Sequence, residues 1–258
     1  MNLNIANQKF LVGGASSGFG RAVTEALVSE GARVTAVARN RTQLEALQQL
    51  SPGHIEIFPG DITRPETLDE LFNIPGNREF HGALINGGGP PAMHFVETKL
   101  IDWDEAYRQL VRWKVDITQR LAAFMSVSQY GRLLFLESVA VKQPIANLVL
   151  SNSLRMAVVG FVETFSHEIA NQGITMNIIA PGYHETPALL RLYKKKSEME
   201  GMTEEEAKQA FIRNVPVGSL GNPNNFASLA AWLLSPQSGY ITGQTISVDG
   251  GVVKGVFG

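Results

Sequence analysis

The glycine-rich stretch Gly13–Gly20, Gly-Gly-Ala-Ser-Ser-Gly-Phe-Gly, constrains the fold of this chain more than any other feature. It follows a short apolar run, Lys9–Val12, and precedes the helix-like segment Ala22–Val28. Glycines allow a tight turn and a close approach to an anion, and the helix that follows offers unpaired N–H groups at its N-terminus. The stretch therefore predicts a phosphate-binding turn. The alternative is a tight strand-to-helix turn that binds no ligand.

Composition narrows the class of protein. The 258 residues are 44% hydrophobic and 18% charged, which is typical of a globular protein with a large core. A net charge of -2 argues against nucleic-acid or membrane-surface binding, and no apolar run approaches the ~20 residues of a membrane helix. The absence of cysteine excludes disulfides and thiolate metal sites, and no His/Asp/Glu cluster has metal-ligand spacing. With no signal-peptide pattern, we expect a cytoplasmic protein without a metal.

Strand-like and helix-like segments alternate along the chain. Strands are predicted near 9–12, 33–38, 54–58, 83–85, 132–136, 175–179 and 244–248. Helices are predicted near 22–28, 42–50, 65–72, 103–128, 152–171 and 224–234, with a charged helical segment at 185–213. This order predicts an α/β fold over a single domain, 1–258: a Rossmann-like, doubly wound parallel sheet of about seven strands with helices on both faces. Ligands of such sheets lie at the carboxyl ends of the strands.

The residue after the second strand bears on cofactor choice. Nucleotide-binding folds that prefer NAD usually carry an acid at the end of this strand, but here Ala38 is followed by Arg39. Because a guanidinium can bind a 2′-phosphate through paired hydrogen bonds, we predict NADP(H) rather than NAD(H) as the cofactor. The alternative is that Arg39 is a solvated loop residue. Asp61 is placed to accept from the adenine amino group, or else it caps a turn.

Four further segments carry a family resemblance: Asn86–Gly89, Gly131–Ser138, Asn177–Gly182 and Tyr240–Gly251. With the glycine turn, they resemble the short-chain dehydrogenases/reductases over almost the whole chain, most closely the β-ketoacyl-ACP-reductase branch. The resemblance implies a small-molecule carbonyl or alcohol substrate, a homotetramer and a substrate lid at 185–213. It also implies that Thr186 touches the nicotinamide amide. The predicted cofactor-binding residues are Gly14, Ser16, Ser17, Gly18, Phe19, Gly20, Arg39, Asp61, Ile62, Asn86, Gly88, Arg155, Pro181, Gly182 and Thr186.

The predicted catalytic residues depart from the family pattern, which uses Asn, Ser, Tyr and Lys. Ser138 matches the serine, but counting onward from it places Ser151 and Arg155 where the Tyr-x-x-x-Lys motif is expected, and Leu110 at the asparagine position. The chain thus resembles a divergent subgroup that lacks this motif. Two glycines also replace family residues: Gly13 stands where a threonine is usual, and Gly87 replaces the second asparagine after the fourth strand.

These departures affect proton transfer. A serine hydroxyl is a far weaker acid than tyrosine, and an arginine stays protonated and cannot relay a proton. We hypothesise that Ser138 and Ser151 form a small oxyanion pocket, with Arg155 beneath the nicotinamide ribose. Candidate substitute acids, each of which has an ordinary structural explanation, are Tyr183, His184, His94 and Glu137.

Three functions remain open from the sequence. The first is an NADPH-dependent reductase with a substitute acid. The second is a nucleotide-binding protein without turnover, acting as a sensor or as a partner of an active paralogue, and the third is a different reaction on the same scaffold. Four residues of 185–213 either line an apolar substrate pocket or pack on the core: Leu189, Leu190, Leu192 and Tyr193.

Overall fold

The computed structural model describes residues 2–255, and within them one sheet of seven parallel strands is present. Its spatial order is β3-β2-β1-β4-β5-β6-β7. The strands are β1 (Lys9–Gly13), β2 (Arg33–Ala38), β3 (Ile55–Pro59), β4 (Gly82–Ile85), β5 (Gly131–Leu136), β6 (Ile174–Pro181) and β7 (Thr245–Val248). The predicted doubly wound parallel sheet is therefore confirmed. Met1 and residues 256–258, which belong to the predicted domain 1–258, lie outside the described residues.

Helices cover both faces of this sheet. They are α1 (Gly18–Ser29), α2 (Arg41–Gln48), α3 (Pro65–Asn73), α4 (Leu100–Tyr107), α5 (Trp113–Ser128), α6 (Val149–Ile169), α7 (Pro187–Glu200), α8 (Glu204–Ile212) and α9 (Pro223–Leu233). The apolar side chains of α1, α2 and α9 pack with one face of the sheet, and those of α3, α5 and α6 pack with the other. Burial on both faces explains why the strands have almost continuous apolar sequences.

Two predicted helices are interrupted. The segment 103–128 is not one helix, because a π-helical segment, Arg108–Arg112, separates α4 from α5. The wider turn releases backbone groups, and the carbonyl of Gln109 accepts a hydrogen bond from the indole of Trp113 at 2.7 Å. The segment 185–213 forms α7 and α8, which are separated by Gly201 at φ 66° and by the capping box that begins α8 at Thr203.

The strand order reverses between β1 and β4, and this reversal positions the site. The connection after β1 leads to the half of the sheet that contains β2 and β3, and the connection after β4 leads to the half that contains β5, β6 and β7. A crevice therefore opens at the carboxyl ends of β1 and β4. The glycine turn follows β1, and Asn86 follows β4. No helix within residues 2–255 is both long and apolar enough to span a membrane.

Candidate active site

The glycine turn between β1 and α1 is held by Asn86. Gly14 and Gly18 have φ angles of 62° and 55°, in the left-handed region that favours glycine. The Asn86 amide donates a hydrogen bond to the Gly13 carbonyl at 3.1 Å, and a Cβ on Gly14 would lie only 2.6 Å from the amide nitrogen of Asn86. Ser17 begins α1 without a side-chain capping hydrogen bond. The first amides of α1 therefore remain available to an anion.

A cleft of about 930 Å³ opens along this edge of the sheet. Eleven of the predicted cofactor-binding residues line it: Gly14, Ser16, Ser17, Gly18, Phe19, Arg39, Asp61, Ile62, Asn86, Gly88 and Thr186. Four others are not among its lining residues: Gly20, Arg155, Pro181 and Gly182. Gly20 instead lets α1 approach the backbone of the turn, and Gly182 packs against Asp249. The topology thus brings most of the predicted set to one crevice.

Arg39 and Asp61 differ in how their side chains are engaged. Arg39 is exposed directly after β2 and lines the cleft together with four other arginines, Arg64, Arg108, Arg112 and Arg191. One carboxylate oxygen of Asp61 accepts from both the amide and the hydroxyl of Thr63, at 3.1 and 2.8 Å. Asp61 therefore caps a turn, which is the alternative role that the sequence left open. Its other carboxylate oxygen makes neither of these two hydrogen bonds.

The two glycine departures coincide with close contacts. A Cβ on Gly13 would lie well under 3.0 Å from the carbonyl oxygen of Asn86. A Cβ on Gly87 would lie 2.8 Å from Cζ2 of Trp113, whose side chain is buried at the start of α5. Larger side chains at both positions therefore require neighbouring atoms to move.

The predicted catalytic serines each have a local partner. The Ser138 hydroxyl accepts from the amide of Ala140 at 3.2 Å, in the turn after β5. The Ser151 hydroxyl lies in the first turn of α6 and accepts from Nε of Arg155, one turn later, at 3.0 Å. Neither serine is among the residues that line the 930 Å³ cleft. Leu110 is completely buried in the core formed by α3, α5 and α6.

A buried charge cluster lies beside these residues, and sequence reasoning missed one of its members. Glu137 pairs with Lys114 through one carboxylate oxygen and with Arg155 through the other, at 2.7 Å for Arg155. The side chains of Lys114 and Glu137 are 2% and 0% exposed. Burial lowers the pKa of Lys114, an effect that Glu137 opposes and Arg155 reinforces. Glu137 is thus a paired carboxylate, as its alternative explanation held, and each of its two oxygens is engaged by a cationic side chain.

The other candidate acids have structural surroundings. The buried ring of His184 packs against Phe19 and Phe226, with centroids 5.0 and 5.8 Å away, and burial lowers its pKa. Tyr183 packs edge-on against Phe211, and His94 is exposed at the start of a short 3-10 helix. None of these three candidates is among the residues that line the cleft.

Helices α7 and α8 form a separate small cluster. Leu189 and Tyr193 are buried in it with Ala207 of α8, whereas Leu190 and Leu192 are 59% and 50% exposed. The four residues left open by the sequence therefore divide into a packed pair and a solvent-facing pair. In the part of the chain that the structure describes, no group of three or more His, Cys, Asp or Glu side chains is placed to hold a metal ion.

Comparison with known proteins gives the family. Residues 14–253 match the family model described as enoyl-(acyl carrier protein) reductase. The chain is 27% identical to the 3-oxoacyl-(acyl-carrier-protein) reductase FabG of Vibrio cholerae, over 97% of this chain and 99% of that one. It is 26% identical to the NADPH-dependent reductase BacG of Bacillus subtilis, over 94% and 96% of the two chains.

Solved structures share the fold. L-sorbose reductase from Gluconobacter frateurii, complexed with NADPH and L-sorbose, superposes with a TM-score of 0.92 at 23% identity, covering 99% of this chain and 100% of that one. An actinorhodin polyketide ketoreductase with NADPH gives a TM-score of 0.90 at 24% identity over 96% and 98% of the chains. The parallel sheet, the glycine turn at its reversal point and the match across 14–253 agree, and the chain belongs to the short-chain dehydrogenase/reductase family, in which it is similar to FabG.

Proposed function

We propose that this protein is an NADP(H)-dependent oxidoreductase that acts on a small carbonyl or alcohol substrate with an atypical active site. The observation that carries the proposal is the cleft in which the open amides of α1 and the exposed Arg39 lie together. The names of its relatives, a 3-oxoacyl reductase and an NADPH-dependent reductase, support the reaction class and the cofactor.

The residues present fit a dinucleotide phosphate. The turn at Gly14–Gly18 would hold the diphosphate through backbone N–H groups, because a helix N-terminus attracts anions. Arg39 would hold the 2′-phosphate, since a guanidinium pairs its N–H groups with phosphate oxygens. Asn86, Gly88 and Thr186, which also line the cleft, would contact the nicotinamide half.

The chemistry at the substrate oxygen follows from Ser151 and Arg155. When bound, a reduced nicotinamide would supply the hydride that reduces the carbonyl carbon. Nε of Arg155 donates to the Ser151 hydroxyl, which leaves that hydroxyl's proton free to donate to a substrate oxygen. The guanidinium charge would stabilise negative charge developing on this oxygen. Because serine is a weak acid, we propose that solvent supplies the final proton and that turnover is slow.

A second candidate is a nucleotide-binding homologue without turnover that acts as a sensor or partner subunit. One observation favours it: the described residues that line the cleft include no tyrosine, lysine or histidine. Tyrosine, lysine and histidine are common general acids, and none of them belongs to that set.

Cofactor binding is tested by titrating NADPH and NADH against the purified protein, its Arg39→Ala variant and the control Arg41→Ala. Arg41 is also exposed, begins α2 and does not line the cleft. We expect Arg39→Ala to weaken NADPH binding by about 10- to 100-fold and to change NADH binding little. Arg41→Ala should change the affinity for neither cofactor. Equal losses for both cofactors would refute the role of Arg39, and no NADPH binding by the parent protein would refute the proposed function.

Turnover is tested separately. NADPH oxidation is followed with 3-oxoacyl thioesters and with a panel of small ketones and sugars. Consumption above the level of an Arg155→Ala variant supports the oxidoreductase, whereas NADPH binding with no consumption for any substrate supports the sensor or partner subunit.

Two further assignments rest on the family resemblance. We propose that 185–213, which contains α7 and α8, is the substrate lid, and that the protein is a homotetramer. Thr186 and Arg191 line the cleft from this segment. Light scattering on the purified chain measures the assembly, and a monomer mass would overturn the tetramer.

A further inference from the structure

We infer that Lys114 and Glu137 are positioning residues for Arg155, and that the three form a charge cluster which fixes the guanidinium against the nicotinamide end of the cleft. This inference rests on the proposed binding of NADP(H). It assigns a role to Lys114, which sequence reasoning passed over, and to the acid that precedes Ser138.

Glu137 is the fixed centre of the cluster. Its amide donates to the carbonyl of Ile179 at 3.0 Å, so its backbone continues the pairing of β5 with β6. Each carboxylate oxygen accepts from a different cation, Lys114 on one side and Arg155 on the other. Because the side chain of Glu137 is 0% exposed, water does not compete for these oxygens. The carboxylate therefore has one orientation, set by α5 and α6 together.

Arg155 has two of its three nitrogens fixed by the protein. Nη1 donates to Glu137 at 2.7 Å, and Nε donates to Ser151 at 3.0 Å. The remaining nitrogen, Nη2, lies 3.3 Å from the position that a Cβ on Gly89 would occupy. Gly89 is exposed and lines the cleft in the loop after β4. A planar guanidinium held at two corners directs its third corner toward this loop, where a hydroxyl or amide oxygen of the nicotinamide half can accept from it.

The contacts explain why a lysine is present as well. Without Lys114, one oxygen of the buried Glu137 carboxylate would lose its partner, and only Arg155 would orient the group. A buried ion pair is a weak stabiliser, because desolvation offsets most of the attraction. Lys114 is almost completely buried, so stability alone does not account for a cation there. Its contact with Glu137 instead fixes the carboxylate that holds Arg155.

The test compares two ligands that share one end. NADPH reaches the nicotinamide end of the cleft, whereas 2′,5′-ADP carries only the adenosine phosphates. The variant is Lys114→Met combined with Glu137→Gln, which removes both charges with little change of shape. We expect NADPH affinity to fall on the order of tenfold and 2′,5′-ADP affinity to stay within about twofold.

The matched control makes the same exchanges elsewhere. Lys9→Met with Glu56→Gln removes an ion pair of 3.0 Å at β1 and β3, where Lys9 begins its strand at the edge opposite to the cleft. Both affinities should be unchanged. Thermal unfolding of each variant verifies that it folds. If the buried double variant does not fold, Lys114→Met alone replaces it, because methionine donates no hydrogen bond to Glu137, and the same selective loss is expected.

The outcomes separate the two proposals. A selective loss of NADPH affinity supports the cluster. Unchanged NADPH affinity, or equal losses for both ligands, overturns it while leaving the proposed function intact. Binding of 2′,5′-ADP but not NADPH by the parent protein overturns the inference, and binding of neither overturns the proposed function as well.

Discussion

Replacing Gly13 by alanine tests whether the glycine turn is as tightly packed as the structure indicates. Gly13 ends β1, and the loop after β4 passes directly over it. The neighbour that a Cβ would meet is the backbone carbonyl of Asn86, well under 3.0 Å away, followed by the side chain of Ile62 at 3.1 Å. A backbone atom cannot rotate aside as a flexible side chain can. One of the two strands must therefore shift, and with it the hydrogen bond from the Asn86 amide to the Gly13 carbonyl.

Overpacking of this kind costs about 1–3 kcal/mol. For a chain of this size, that loss lowers the melting temperature by about 2–12 °C. The assay is thermal unfolding, repeated in urea to obtain the free energy of unfolding. The control is Gly53→Ala, because a Cβ at Gly53 has no atom within 4 Å and its φ lies outside the left-handed region. That variant should match the parent or exceed it by about 0.4–1 kcal/mol.

Gly13→Ala should also weaken the binding of NADPH. A shift of the turn moves the α1 amides that we propose for the diphosphate. If Gly13→Ala unfolds at the same temperature as Gly53→Ala, the close approach of β1 to the loop after β4 is wrong, and the explanation for the missing threonine fails with it.

Two further predictions concern residues around the cleft. Burial lowers the pKa of His184 in the folded protein below its ordinary 6.5. Between this lowered pKa and the pKa of the unfolded chain, the unfolded chain therefore binds more protons than the folded one. Stability should therefore fall as pH drops below about 6.5. Urea unfolding at about pH 7.5 and pH 5.5 should show a smaller loss for His184→Asn, whose amide keeps a donor for the Gly182 carbonyl; an equal loss would contradict this origin. Gly87→Ala should destabilise the protein because its Cβ would lie 2.8 Å from Trp113, and Trp113→Phe should reduce that penalty in a double-mutant cycle; a coupling energy near zero would contradict the contact.

The sequence was sufficient for the features that depend on local chemistry. The glycine turn and the apolar strands can be recognised from the sequence, because left-handed φ angles favour glycine and burial on both faces of the sheet favours apolar residues. The parallel sheet then brings distant segments to one edge without further information. This is why Arg39 and Asn86, far apart in sequence, were expected at the same crevice, and both line it; Thr186, which was expected there from the family resemblance, lines it too.

Lys114 shows what the sequence does not reveal. A lysine in a helix is ordinarily solvated, and nothing adjacent to it marks the position as buried. Its role depends on Glu137, which lies 23 residues away and was predicted to be either a candidate acid or a paired carboxylate, with no partner identified. The π-helical turn just before Lys114 was missed for the same reason, because it depends on the contact of Trp113 with Gln109 and not on helix propensity.

The residues that we expect to depart from the family pattern are packed or paired with their neighbours in this structure. Gly87 leaves the space that Trp113 occupies, Gly13 lies against the backbone of Asn86, and Arg155 is held by a carboxylate that is itself buried. A site that had merely lost its residues would be expected to leave unpaired charges or empty space at these points. Packed and paired departures instead favour a site adapted to hold a ligand. Retaining the cofactor and turning over a substrate are then distinct properties: the α1 amides and Arg39 bear on the first, and the Ser151–Arg155 pair bears on the second.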